Sequence, residues 1–191
     1  TGLYAGNAIL AALLHREKTG QGQHIDLALL DVQVACLANQ ASNFLAGGVV
    51  PRRMGNAHPN IVPYQDFQTA DGYMILAVGN DAQFARFCEV AGHAEWARDE
   101  RFVSNPQRVA HRAELIAMIR EATLKRTTRE WVEALEAAGV PCGPINTVDK
   151  VFADPQVQHL GIAKPIDHPK YGPQKVVGQP IHLSRYPQPE K

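Results

Sequence analysis

Cysteine is scarce in this sequence: Cys36, Cys88 and Cys142 are the only three in 191 residues, far apart and without a CxxC spacing. That excludes a dense disulfide framework and points to a reducing compartment, read here as the cytoplasm. Charge of either sign is not in excess, since 19 basic side chains face 19 acidic ones. Neither nucleic acid nor an anionic membrane surface is expected as a partner on that balance. Long apolar runs are missing too. The most apolar stretch, Leu3 to Leu14, is interrupted by Gly6 and Asn7 and is too short to cross a bilayer core of about 30 Å. It reads instead as a buried helix. The eight histidines never fall into HxxxH or HExxH spacing, so no metal site is expected. No charged segment precedes the apolar stretch and the first residue is Thr, from which the chain is expected to begin in mid-protein.

What is present is ordinary globular material. Apolar residues make up 45% and charged residues 20%, too apolar for a disordered tail and enough for a packed core, or two small ones. Thr1 is a candidate N-cap for the first helix, which ends at Thr19-Gly20-Gln21-Gly22. Residues 23–30 alternate, with Ile25, Leu27 and Leu29 on one face, and predict a strand. Asp31 is then a plausible N-cap for a helix from Val32 to about Ala46, stopped by Gly47-Gly48. Three prolines between Val49 and Pro63 mark a long loop and a candidate domain boundary. Residues 64–69 and 73–78 flank Ala70-Asp71-Gly72 and predict a hairpin.

Asn80 or Asp81 is placed to cap a helix with Phe84, Phe87, Cys88 and Ala91 inward, closed by Gly92. Ser104-Asn105-Pro106 opens a further helix, roughly 107–123, with Val109, Ile116 and Ile119 inward. Thr127 and Glu130 have capping-box spacing before Trp131, Val132 and Leu135, and Gly139 ends that helix. Asp154-Pro155 starts a short helix, residues 162–168 and 175–183 are extended, and the tail from Tyr186 to Lys191 is expected to be mobile. The pattern is α/β.

Few residues carry chemistry on their own. Gly2 and Gly6 have GxxxG spacing, read as close helix packing. Cys142, between Pro141 and Gly143-Pro144 with no neighbouring His, reads as structural. The turn Gly20-Gln21-Gly22 lies between helix and strand, the wrong order for a phosphate loop. The run Arg52-Arg53-Met54-Gly55-Asn56-Ala57-His58-Pro59-Asn60 is different, because it gathers two guanidinium groups, an amide, an imidazole and a glycine beside a lobe boundary. Composition leaves a functional loop and a solvated linker both open.

The ordered set of short stretches resolves this. Thr1-Gly2 leading into a helix, Lys18-Thr19-Gly20-Gln21-Gly22-Gln23 and Leu30-Asp31 are followed by Gly55-Asn56-Ala57-His58-Pro59 with Pro63-Tyr64. Then come Thr69-Ala70-Asp71-Gly72-Tyr73, the run from Gly79 to Phe84, the run from Gly139 to Ile145, and Asp154-Pro155-Gln156-Val157. Together they span nearly the whole chain, which resembles the family III CoA-transferases, the formyl-CoA and carnitine CoA-transferase group, most similar to the succinyl-CoA:glutarate type.

The resemblance implies the C-terminal part of a two-domain enzyme with a Rossmann-like large domain, a smaller α/β domain and an interlocked homodimer. Residues 1–48 would belong to the large domain, 49–63 to a linker and substrate loop, 64–150 to the small domain and 151–191 to a segment returning to the large one. It also implies CoA transfer through an aspartyl anhydride and an enzyme–CoA thioester. The aspartate is expected three residues before Thr1, so no catalytic residue is assigned in this chain, which would be inactive by itself. Coenzyme A enters as acyl-CoA substrate, with a small carboxylic acid as acceptor, a dicarboxylate by the type it resembles.

Gly55, Asn56, Ala57 and His58 align with the loop that closes over the acyl group, and Leu29 falls near the thioester end of CoA. Some relatives have a glycine-rich loop where this chain has Asn-Ala-His-Pro, which leaves the role of His58 open. Arg52 and Arg53 are candidate partners for the acceptor carboxylate, or else solvated loop residues. Two alternatives stand beside transfer. One is the proton transfer of α-methylacyl-CoA racemases, which resemble this family but use a glutamate near the segment matching Gly79-Asn80-Asp81, where this chain has none. The other is a non-catalytic, self-associating fragment.

Overall fold

A computed structural model describes residues 1–185 and divides the chain into two compact units, Thr1–Pro59 and Asn60–Lys191. The expected mobile tail, residues 186–191, lies outside the described residues. The division falls inside the proline-bearing stretch that composition marks as a boundary.

In the first unit, α1 (Gly2–Thr19) ends where Gly20 turns left-handed at φ 74° and donates its N–H to the Arg16 carbonyl at 2.8 Å. Thr1 occupies the N-cap position but makes no side-chain cap bond. The expected burial of this helix is not found: none of its residues is buried, and Leu3 is 88% exposed. Leu3, Leu10 and Leu14 share one side of the helix, with Ile9 and Leu13 beside it, and that side is exposed. A Cβ added to Gly2 or Gly6 would meet nothing within 4 Å, so the GxxxG spacing makes no close packing inside the unit.

The strand expected over residues 23–30 is also absent. Among the described residues, 21–28 have no ladder partner, and Leu29 opens a helix instead. That helix, α2 (Leu29–Ala35), takes Ala28 as N-cap and holds Asp31 inside its first turn, where a carboxylate favours the helix dipole. The single helix expected from Val32 to Ala46 is broken into α2 and α3 (Ala38–Leu45) by Ala38, which adopts φ 48°. No Gly or Pro marks that break. A loop after α3 closes the unit.

The second unit is built on an antiparallel sheet in the order β1-β2-β3. β1 (Tyr64–Gln68) and β2 (Tyr73–Ala77) form the expected hairpin, with Tyr64 opposite Ala77 and Gln68 opposite Tyr73. Its turn is tied by Thr69, whose N–H donates to the Gly72 carbonyl and whose hydroxyl accepts from the Gly72 N–H. α4 (Asp81–Ala91) comes next, capped by Asn80, which accepts from the Gln83 N–H at 2.9 Å; Phe84, Phe87 and Cys88 face inward as expected. After a 3-10 turn over Ala94–Arg98 come α5 (Asn105–Ala110) and α6 (Arg112–Thr123), where the sequence predicts one helix; His111 leaves helical geometry between them.

α7 (Thr128–Ala137) carries the complete capping box of Thr127 and Glu130. The chain then adds β3 (Cys142–Pro144) to the free edge of β2, with Leu76 opposite Cys142. The alternation of β1 and β2 turns Phe67, Met74 and Leu76 toward the helices, where they join Phe84, Phe87, Phe102, Leu115, Ile119, Trp131 and Leu135 in one core. Burial of this set stabilises the unit by roughly 1.5–3 kcal/mol per large side chain.

α8 (Val148–Ala153) has no counterpart in the sequence reading, whereas α9 (Pro155–His159) starts where Asp154-Pro155 predicts, Asp154 accepting from the N–H groups of Gln156 and Val157. β4 (Ala163–His168) and β5 (Gly172–Val177) pair into a separate hairpin. The extended segment expected from Lys175 to Leu183 therefore begins earlier and ends sooner, because its partner strand fixes its length. Among the described residues no helix is long and apolar enough to cross a membrane.

These positions set the chemistry of the cysteines. All three thiols are free. Cys88 lies in the core, and burial pushes its thiol up to about 12, while Cys142 is half-buried in β3, with its sulfur 3.8 Å from the Val132 carbonyl and its pKa raised by burial. Cys36 is exposed. Iodoacetamide at neutral pH is expected to modify Cys36 first, Cys142 more slowly and Cys88 only on unfolding. Mass spectrometry of a time course checks this order, and early loss of Cys88 would contradict the packing of α4.

Candidate active-site loop

The candidate residues Arg52, Arg53, Gly55, Asn56, Ala57 and His58 all lie in the first unit, on the segment that leaves α3. Arg52 and Arg53 are exposed and precede a turn. Gly55 holds φ 64° within it, a left-handed conformation that a side chain would strain, and the Ala57 N–H donates to the Met54 carbonyl at 3.4 Å. The turn thus gathers Gly55, Asn56, Ala57 and His58 on consecutive backbone positions, with Ala57 and His58 half-buried. Leu29, the proposed neighbour of the thioester, is the first residue of α2 and is 74% exposed.

Beyond the loop, residues 60–62 are held tightly inside the second unit. Asn105 donates its side-chain N–H to the Asn60 carbonyl at 2.8 Å and accepts from the Val62 N–H at 3.1 Å. Arg108 is wholly buried. Its Nε donates to the Val62 carbonyl at 2.7 Å, Nη1 to the Phe102 carbonyl at 2.9 Å and Nη2 to Asp81 Oδ1 at 2.7 Å. The guanidinium plane also lies over the Phe84 ring, 4.5 Å from its centre.

Sequence reading misses this network: it gives Asn105 only a place in a helix opening and Arg108 no role. A signal exists. Arg108, Leu115, Ile119 and Ala122 share one face at helical spacing and Arg112 falls on it too, so the pattern marks a pair of arginines on an apolar stripe, not Arg108 alone, as candidates for buried partners.

A second polar cluster sits at the hairpin turn. Asp71 accepts from the Thr128 N–H at 2.7 Å and from the Thr128 hydroxyl at 3.0 Å, which holds its carboxyl below the usual range. A hollow of about 300 Å³ beside it is lined by Tyr73, Arg129, Asn146 and Lys150 among others, and a cavity of about 630 Å³ lies between α9 and the β4–β5 hairpin. Neither shares a residue with the loop. Among the described residues no group of three or more His, Cys, Asp or Glu is placed to hold a metal ion.

The decisive likeness is of the whole chain. The model of CoA-transferase family III matches residues 1–191. The chain belongs to that family. A succinate–glutarate CoA-transferase from Agrobacterium fabrum is 54% identical over 162 residues, covering 85% of this chain and 40% of that protein. The human succinyl-CoA:glutarate CoA-transferase is 42% identical over 186 residues, covering 97% of this chain and 42% of its own length. A solved CaiB/BaiF family protein from Brucella suis superposes with a TM-score of 0.75 at 49% identity, covering 99% of this chain and 49% of that one. This family III chain therefore spans about two fifths of the length of those curated relatives, and its α/β fold is that of the solved family members.

Proposed function

We propose that the full-length protein transfers CoA from an acyl-CoA, of the succinyl-CoA type, to a small dicarboxylic acid such as glutarate. The observation that carries this is the 54% identity to a succinate–glutarate CoA-transferase across most of the chain. In the proposed reaction the carboxylate of an aspartate preceding Thr1 attacks the thioester carbonyl and releases CoA thiolate, leaving a mixed anhydride. The thiolate attacks the aspartyl carbonyl, releasing the donor acid and forming an enzyme–CoA thioester. The acceptor carboxylate then displaces CoA thiolate to give a second anhydride, and attack of the thiolate on the acceptor's acyl carbonyl frees the aspartate and the new acyl-CoA. Each attack develops an oxyanion, and the backbone N–H groups of Gly55 to His58 are the proposed donors to it.

Residues 1–48 and 151–191 belong, on this reading, to the large domain and 64–150 to the small one, with a homodimer as the working state and the cytoplasm as the compartment. The small number and wide spacing of the cysteines support a reducing setting. Against the racemase reading, the carboxylate in the Gly79-Asn80-Asp81 segment is that of Asp81, already engaged by Arg108.

Arg52 and Arg53 are proposed to hold the distal carboxylate of the acceptor. A charge-assisted hydrogen bond contributes roughly 1.5–3 kcal/mol, so alanine at the arginine that binds is expected to raise the KM for glutarate about 10- to 100-fold, with little change for a monocarboxylate. Steady-state assays of Arg52→Ala and Arg53→Ala, with succinyl-CoA and each acceptor, decide it. Unchanged KM values for every dicarboxylate in both variants remove the arginines from the site. Deuterium wash-in at the α-carbon of an acyl-CoA without any acceptor would replace transfer by proton transfer.

A further inference from the structure

We propose that the hollow of about 300 Å³ beside the hairpin turn binds an acidic α-amino acid of the size of glutamate. The proposal stands on the second unit alone and does not depend on CoA transfer. Four parts of that unit build the hollow: β2 supplies Tyr73, the first two turns of α7 supply Arg129 and Glu133, the segment after β3 supplies Asn146, and α8 supplies Lys150. The Tyr73 carbonyl accepts the Ile145 N–H at 2.9 Å, which carries the β2–β3 pairing one residue past β3 and brings Asn146 beside the turn. Arg129, Val132 and Glu133 stand at i, i+3 and i+4 and share one face of α7, whose other side is fixed in the core by Trp131 and Leu135. Ligand pockets run from about 300 to 1,000 Å³, so a hollow at the small end suits a single amino acid.

The charges on the wall select the ligand. Asp71 is committed within the fold: the Thr128 N–H donates to it at 2.7 Å, the Thr128 hydroxyl at 3.0 Å and the Thr69 hydroxyl at 3.3 Å, and it faces the positive end of the α7 dipole. Two cations and one acid remain on the wall, Arg129, Lys150 and Glu133. Arg129 Nε and Glu133 Oε1 are 3.6 Å apart, with side chains 85% and 69% exposed, a pair that contributes little to the fold and leaves both charges open to a ligand. A molecule with two carboxylates and one ammonium complements that set. A dicarboxylate without the ammonium would place only like charge against Glu133, and a neutral amino acid would leave one cation unmatched. The guanidinium fork of Arg129 suits a carboxylate, and the Tyr73 hydroxyl and Asn146 amide add neutral hydrogen bonds. Val132 and Ile145 give the methylenes between the charged ends an apolar wall.

The test uses the full-length protein and three probes: L-glutamate, glutarate, which lacks the ammonium, and L-norvaline, which lacks the second carboxylate. Calorimetry reads affinity and amide exchange places the ligand. L-glutamate is expected to slow exchange at residues 128–133 and 144–150, a signature that glutarate held by the loop at 52–58 would not give. In those two segments glutarate and L-norvaline need concentrations about 5-fold higher or more for the same slowing, since each lacks one charged partner. Arg129→Ala and Lys150→Ala, both at exposed positions, each weaken L-glutamate about 5-fold or more, and Lys150→Arg recovers most of that loss. Glu133→Gln removes the preference for L-glutamate over glutarate. No slowing at 128–133 and 144–150, or unchanged affinity in both alanine variants, overturns the site. Glutarate equal to L-glutamate in those segments overturns the amino-acid assignment, and L-norvaline equal to it overturns the role of the second carboxylate.

Discussion

Arg108→Met is expected to destabilise the second unit by about 3–5 kcal/mol, the largest effect of any single substitution proposed for this chain. Methionine has comparable length and no charge, so it fills much of the volume but leaves the Val62 and Phe102 carbonyls buried without their donors. Each orphaned carbonyl costs about 1–3 kcal/mol. Loss of the guanidinium stacked on Phe84 adds to that, whereas Asp81, with its side chain 58% exposed, regains water and adds little. Arg108→Lys keeps a charge but not the fork. It can reach Asp81 or one carbonyl, not all three partners, and should recover less than half of the loss. Denaturant unfolding monitored by tryptophan fluorescence reads both variants, because Trp96 and Trp131 are both buried in the same core. A midpoint for Arg108→Met equal to the parent's would show that the three bonds contribute nothing net.

The same residue shows where the sequence can and cannot be read. The hairpin, the capped α4, the capping box of α7 and the turn at Asp154 are legible because each is written in local chemistry: a Gly-bearing turn, an Asn before an apolar periodicity, a Thr-x-x-Glu spacing. The strand expected over residues 23–30 does not form, because alternation states only which face is apolar, and a strand also needs a neighbour to accept its hydrogen bonds. The break between α2 and α3 falls on Ala38, which has no local reason to turn left-handed. Motif order points to the loop at Gly55 to His58, while Asn105 and Arg108, which hold residues 60–62 of the second unit, come from a distant part of the chain. Only folding brings such residues together, and two arginines, Arg108 and Arg112, on an otherwise apolar stripe are the trace of it in the sequence.

In the full-length protein, replacing by alanine the aspartate proposed three residues before Thr1 is expected to lower CoA transfer by about 10⁴- to 10⁶-fold, the scale on which removal of a covalent nucleophile acts. Methyl in place of carboxylate removes the atom that attacks the thioester, so neither the anhydride nor the enzyme–CoA thioester can form. The loop donors and the acceptor site would remain, but orientation without a nucleophile leaves direct attack of one carboxylate on a thioester, with CoA thiolate as the leaving group in a single step. Binding should survive, because alanine is smaller than aspartate and leaves acyl-CoA its other contacts. The measurement is therefore double: acyl-CoA dissociation constants close to the parent's, and mass spectrometry of the protein quenched during turnover. The parent should carry a CoA adduct that hydroxylamine removes, and the alanine variant should carry none. The 191-residue chain by itself should likewise show neither adduct nor transfer. Full turnover by the alanine variant, or by that chain alone, would refute the covalent route and leave direct acyl exchange in its place.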